Sequence, residues 1–200
     1  MNIGFLASHN GSNMQAIIDA YNSGGLQAVP VVVISNNNGS GAIVRAKQEG
    51  IPSYHLSSKT HPKPEELDEA ILEVLLKHKV DIVVLAGYMK KLGPKTLSRY
   101  AGSVINIHPA LLPKYGCKGM YGIRVHEAVL AAGEYLTGVT IHIVDEEYDK
   151  GPVIAQAWVS IEDADTPETL QERVLEQEHS LYPHTLQKIA SGEIQLPTEK

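Results

Sequence analysis

The chain has 200 residues, 43% hydrophobic and 20% charged, which suits one globular α/β domain and excludes a disordered or fibrous chain. A net charge of −6, without any long block of Lys and Arg, argues against a nucleic-acid partner, since phosphate neutralisation needs a basic face. Apolar runs such as Val80 to Ala86 are too short to cross a bilayer, and the single cysteine, Cys117, excludes an internal disulfide and a thiolate metal cluster.

Met1-Asn2-Ile3-Gly4 leads straight into a strand with no charged leader or cleavage site, so no signal peptide is expected and the cytoplasm is the simplest location. Strand and helix then alternate. Asn2–Ala7 reads as a strand, Asn13–Tyr21 as a helix, Val29–Ser35 as a strand and Gly41–Glu49 as a helix, with a short strand near Ser53–Leu56. Across Pro64–His78 the apolar residues Leu67, Ile71, Val74 and Leu75 form a helical stripe. Asp81–Ala86, apolar almost throughout, reads as a buried parallel strand. Pro94–Tyr100 is a short helix, Val104–Ile107 a fifth strand, Val125–Ala132 a helix, and Gly138–Val144 and Val153–Ser160 two late strands. Thr166 caps the last helix with Pro167 at its first position, and Tyr182-Pro183 is expected to kink or interrupt it.

This order predicts an α/β fold: a mostly parallel, twisted sheet with helices on both faces, forming one domain over residues 1–200. Ligands in such sheets bind beyond the carboxyl ends of the strands, so the loops after Ala7, Ala86, His108 and Val144 should converge. The first of these, Ser8 to Asn13, has two readings. Gly11 permits close backbone approach at a helix N-terminus, which suits a phosphate; alternatively Ser12 or Asn13 simply caps the helix in a plain turn. The run is neither a dinucleotide fingerprint nor a Walker loop.

Asn106-Ile107-His108-Pro109 ends the fifth strand, because proline cannot donate to a sheet ladder. Asn106 and His108 project from the same face there. A carboxamide and an imidazole, with Asp149 from the acidic loop Asp145–Pro152, can handle an acyl group: amide and imidazolium steady an oxyanion, and the carboxylate manages protons. Asp149 beside His108 would favour the imidazolium. Asp145, Glu146 and Glu147 read as a solvated turn, and the loop lacks calcium-hand spacing, so no metal is expected. In the last helix Glu178 falls on the stripe of Leu170, Val174 and Leu181, where it must face a ligand or pair with a partner such as Arg173.

Taken together, these residues resemble the phosphoribosylglycinamide formyltransferase family. The likeness runs from Asn2 to about Ala190 through Asn10-Gly11-Ser12-Asn13, Val83 to Met89, Asn106 to Lys114, Val144 to Asp149, Gly151 to Ile154, Gln156, Gln177-Glu178-His179 and Tyr182-Pro183. It implies transfer of a formyl group from 10-formyltetrahydrofolate to the amine of glycinamide ribonucleotide, in a Rossmann-like formyltransferase fold. By resemblance Asn106, His108 and Asp149 are catalytic, Gly11, Ser12 and Asn13 hold the substrate phosphate, and Glu178 holds its ribose hydroxyls. Met89, Lys90, Lys91 and Leu92, with Val144, Asp145, Glu146 and Glu147, would line the folate pocket largely through backbone groups.

Several positions depart from that pattern. The stretch Tyr115–Val125 is longer than the family's compact loop and suggests a flap made flexible by three glycines. Arg124 stands where some relatives carry histidine, Pro64 where a basic residue is common, and Lys90-Lys91 make the folate edge basic. His142 reads as a supporting residue. The rivals are formyltetrahydrofolate deformylase, a hydrolase on the same core, methionyl-tRNA formyltransferase and a non-catalytic nucleotide-binding module. The acidic chain, ending at Lys200, does not suggest the RNA-binding domain of the tRNA enzyme. The sequence allows a homodimer and does not fix the oligomeric state.

Overall fold

A computed structural model describes residues 1–117 and 119–197. Lys118, within the expected flap, and the last three residues of the expected 1–200 domain lie outside the described residues. The elements in chain order are β1 (Asn2–Ala7), α1 (Ser12–Asn22), β2 (Val29–Ser35), α2 (Gly41–Gln48), β3 (Ser53–His55), α3 (Pro64–Lys77) and β4 (Ile82–Leu85). They continue with α4 (Pro94–Arg99), β5 (Val104–His108), α5 (Ile123–Ala131), β6 (Leu136–Ile143), β7 (Val153–Ser160) and α6 (Pro167–Ala190).

The seven strands form one sheet in the order β3-β2-β1-β4-β5-β6-β7. Pairings from β3 through β5 are parallel, whereas the β5–β6 and β6–β7 pairings are antiparallel, so that β6 alone runs against the other strands. Strand order reverses direction between β1 and β4, so the loops after these two strands open a crevice at their carboxyl ends. Each face of the sheet carries its own apolar layer. Met14, Ile17, Ala46, Val125, Leu170 and Val174, from α1, α2, α5 and α6, pack with Phe5, Val84 and Ile105 on one face. Ile71 and Leu75 of α3 pack with Leu6, Ile34 and Val83 on the other. The β4 residues are buried throughout, as a strand covered on both faces requires.

Two polar devices position the loops of the crevice. Ser8, almost fully buried, accepts at Oγ from Met89 N (2.7 Å) and donates to Asn36 Oδ1 (2.6 Å), tying the β1 and β4 loops together. Asp68 of α3 accepts from Lys95 N (2.7 Å) and from both Thr96 N (3.1 Å) and Thr96 Oγ1 (2.6 Å). Its carboxylate thus satisfies the N-terminus of α4 and anchors the far end of the β4 loop.

The expected break at Pro183 does not occur: α6 runs unbroken to Ala190 with Pro183 inside it. Tyr182 and Leu186, both fully buried, flank the proline, and the Tyr182 hydroxyl donates to Leu85 O and Ile105 O, each at 3.1 Å. Tertiary packing on either side outweighs the single missing helical bond.

Candidate active site

The antiparallel register of β5 and β6 sets the centre of the site. Asn106 lies opposite His142, and His108 opposite Thr140, so one face at the strand ends carries an amide, two imidazoles and a hydroxyl. His142 Nδ1–H donates to Ile143 O (2.9 Å), which leaves Nε2 as an acceptor for Asn106 Nδ2 (3.1 Å). His108 Nε2–H donates to Tyr115 O (3.0 Å), which leaves Nδ1 turned to the loop after β6. There Asp149 Oδ1 stands 3.8 Å from His108 Nδ1 and 3.6 Å from His142 Nε2. Two histidines, each fixed by a backbone carbonyl, therefore converge on one carboxylate.

Burial decides the charge of these rings. It pulls His108 below the ordinary histidine value, against the opposite influences of Asp149 and the Tyr115 carbonyl, with His142 adding to the fall. The sequence-based expectation needs correction here: Asp149 does favour the imidazolium, but desolvation is larger. His142 is lowered for the same first reason, and His126 of α5 is pushed down to about 4 by burial and then by His108. His126 Nδ1 is buried without a hydrogen-bond partner among the described residues, in a residue only 1% exposed.

At the other end, Gly11 stands just before α1, takes the left-handed conformation (φ 73°) and offers no side-chain cap. A Cβ at Gly11 would come within 2.9 Å of the Ala42 backbone, so only glycine fits. The capping alternative for Ser12 and Asn13 is thus excluded, and the first N–H groups of α1 are free to face an anion. Asn13 Nδ2 donates to Glu178 Oε2 (2.5 Å), and burial raises the Glu178 carboxyl to about 7 against the opposing effect of that bond. The Arg173 alternative is excluded as well, because Arg173 binds both carboxylate oxygens of Asp165 at 2.7 and 2.8 Å.

The two ends share one cleft of ≈ 700 Å³, a volume ordinary for a small-molecule site. Gly11, Ser12, Asn13 and Glu178 stand on its walls with Asn106, His108 and Asp149. Met89, Lys90, Lys91 and Leu92 contribute from the β4 loop, and Val144, Asp145, Glu146 and Glu147 from the β6 loop. The side chains of Asp145, Glu146 and Glu147 are exposed, as a solvated turn requires, and Glu147 pairs with Lys150. Among the described residues no group of three or more His, Cys, Asp or Glu side chains could hold a metal ion, and no helix is long and apolar enough to cross a membrane.

The long stretch after Tyr115 also lines the cleft, through Cys117, Met120, Tyr121 and Arg124. Its glycines are not three equivalent hinges. Gly119 and Gly122 take positive φ, whereas Gly116 is packed so closely that a Cβ would strike Leu112 and stand 3.1 Å from Asp149 Cβ. Sequence reasoning missed the Tyr115 carbonyl, which leaves no side-chain signal, and His126. The latter was findable, because it follows Val125 on the buried face of α5.

A protein family described as formyl transferase matches residues 1–186. The chain belongs to the formyl transferase family. It is 41% identical to phosphoribosylglycinamide formyltransferase of Haemophilus influenzae, over 97% of this chain and 89% of that one. The crystal structure of phosphoribosylglycinamide formyltransferase from Bacillus halodurans superposes with a TM-score of 0.89 at 39% identity, covering 100% of both chains. A formyltetrahydrofolate deformylase from Pseudomonas syringae superposes with a TM-score of 0.87 at 26% identity, over 98% of this formyl transferase chain and 63% of that one.

Proposed function

We propose that this formyl transferase moves a formyl group from 10-formyltetrahydrofolate to the amine of phosphoribosylglycinamide, a step of purine biosynthesis. The observation that carries the reading is the meeting, in one cleft, of an uncapped helix N-terminus with an amide, an imidazole and a carboxylate. Relatives of that name at about 40% identity over nearly the whole chain support it.

In this reading the free N–H groups of Gly11, Ser12 and Asn13 hold the phosphate, and Glu178 accepts from the ribose hydroxyls. Met89, Lys90, Lys91 and Leu92 bind the folate together with Val144, Asp145, Glu146 and Glu147, mainly through main-chain groups. The neutral amine attacks the formyl carbon directly, and its nitrogen loses a proton as the tetrahedral intermediate forms. His108, which burial keeps neutral, takes that proton at Nδ1. The new imidazolium and the second N–H of Asn106 stabilise the oxyanion, while Asp149 balances the imidazolium charge. Collapse breaks the bond to N10 of the folate, and that nitrogen receives the proton, so no net proton is consumed. Phosphoribosylglycinamide and formyl-folate are the small-molecule partners, and no metal takes part. A single domain over residues 1–200, a cytoplasmic location and homodimer formation complete the proposal.

The fold likeness to the deformylase supports a second reading, hydrolysis of the same donor. Incubating purified protein with 10-formyltetrahydrofolate, with and without phosphoribosylglycinamide, separates the two. Formyl transfer only when the acceptor is present is the expected result. Rapid deformylation without acceptor would establish the hydrolase instead, and no turnover in either mixture would overturn both.

A further inference from the structure

We infer that Tyr115 and Glu134 are positioning residues that lock His108 in one tautomer, making Nδ1 the nitrogen that carries the transferred proton. The inference rests on the reading of His108 given above. His108 Nε2–H is committed to the backbone carbonyl of Tyr115 at 3.0 Å, so the neutral ring can only present a bare Nδ1 to the cleft and to Asp149. That carbonyl is aimed by an unusual backbone. Tyr115 adopts φ 58°, a left-handed conformation that is unfavourable for a non-glycine residue and persists only where its surroundings impose it.

The surroundings are explicit. The Tyr115 hydroxyl donates to Glu134 Oε1 (3.0 Å) in the turn between α5 and β6, and Lys114 Nζ binds the same oxygen (2.8 Å). On the chain side, the segment between His108 and Tyr115 is held by buried Thr140. Its Oγ1 donates to Ala110 O (2.7 Å) and accepts from Leu112 N (3.0 Å) and Gln156 Nε2 (2.8 Å). Beyond Tyr115, Gly116 lies directly against Leu112 and the Asp149 backbone. Tyr115 is therefore fixed from both ends; its ring packs against the core, and Glu134 is the one hydrogen-bond partner of its hydroxyl among the described residues.

Nitrogen-15 NMR of the histidine rings at pH 8 tests this, with His108→Ala used to assign the signals. The parent protein should show His108 protonated at Nε2 and bare at Nδ1. Tyr115→Phe and Glu134→Ala should give a mixture of tautomers and lower kcat about tenfold, with KM for both substrates within about twofold. Glu134→Gln, whose amide oxygen still accepts from the Tyr115 hydroxyl, should recover most of the parent signal and rate. A parent ring protonated at Nδ1, or unchanged tautomers in both Tyr115→Phe and Glu134→Ala, would overturn the inference. Near-normal turnover by His108→Ala would instead sink the catalytic reading of His108 and leave the tautomer measurement standing.

Discussion

The two ends of the cleft are built differently. The end around Gly11 is made from helix termini and buried side chains: Gly11 is wedged on Ala42, and Asn13 is bound to a Glu178 that is only 8% exposed. The end around Met89 and Asp145 is made from loops in which Met89, Lys90, Lys91, Asp145, Glu146 and Glu147 are exposed, with Leu92 alone buried beneath them. Its shape is held through the main chain by Met89 N on Ser8 Oγ, Val144 N on Val104 O and Glu147 N on Asp145 Oδ1. Replacing a side chain should therefore be severe at the first end and mild at the second, with the Asn106, His108 and Asp149 cluster most sensitive of all.

The largest test of that contrast is Asp149→Asn. It should lower kcat by roughly 10²- to 10⁴-fold with little change in either KM; near-normal turnover in a steady-state assay would remove Asp149 from its role. Next comes the pH dependence of stability. Burial raises Glu178 from 4.5 to about 7, so between those values the folded chain holds a proton that the unfolded chain has released. Stability from this group is fully present below pH 4.5, falls as the pH rises towards 7 and then levels off. The difference is about 3 kcal/mol. Urea denaturation at pH 5 and pH 8 should show it in the parent and not in Glu178→Gln; an equal slope in both proteins would refute the assignment.

A smaller effect is expected on binding. Glu178→Gln should raise KM for phosphoribosylglycinamide roughly tenfold, through loss of a charge-assisted acceptor, and leave KM for the folate unchanged. Equal increases in both constants would erase the distinction between the two ends. Smallest of all, Lys90→Ala with Lys91→Ala should change folate KM by no more than about threefold, and less at high salt. A tenfold, salt-independent loss would show that the loop end also reads its ligand through side chains.

The regular part of the fold was legible because local pattern and packing agree. Val29–Ser35 and Val153–Ser160 form strands with the expected bounds, and Thr166 caps α6 as its position before Pro167 implies. What escaped depends on partners distant in the chain. Pro183 is a breaker by local rules, yet Tyr182 reaches across to β4 and β5 and holds the helix together. Asp68 drew no notice in the helical stripe of α3, because its role depends on α4 docking on it. In the site, side chains with paired spacing such as Asn106 and His108 stood out, whereas a controlling backbone carbonyl at Tyr115 had no letter to announce it. The sign of the Asp149 influence on His108 was legible and the larger effect of desolvation was not, because a carboxylate can be seen in a sequence but depth of burial cannot.

Tyr182 also sets a distance across the cleft. Its hydroxyl pins α6 to the carbonyl immediately before Asn106, and Glu178 sits four residues earlier on the same helix. Four helical residues, about 6 Å of rise, therefore work as a ruler laid from the amide at the strand end to the carboxylate. If Glu178 grips the acceptor's sugar, an amine on a longer or shorter arm would miss the formyl carbon, and the helix would select its substrate by length.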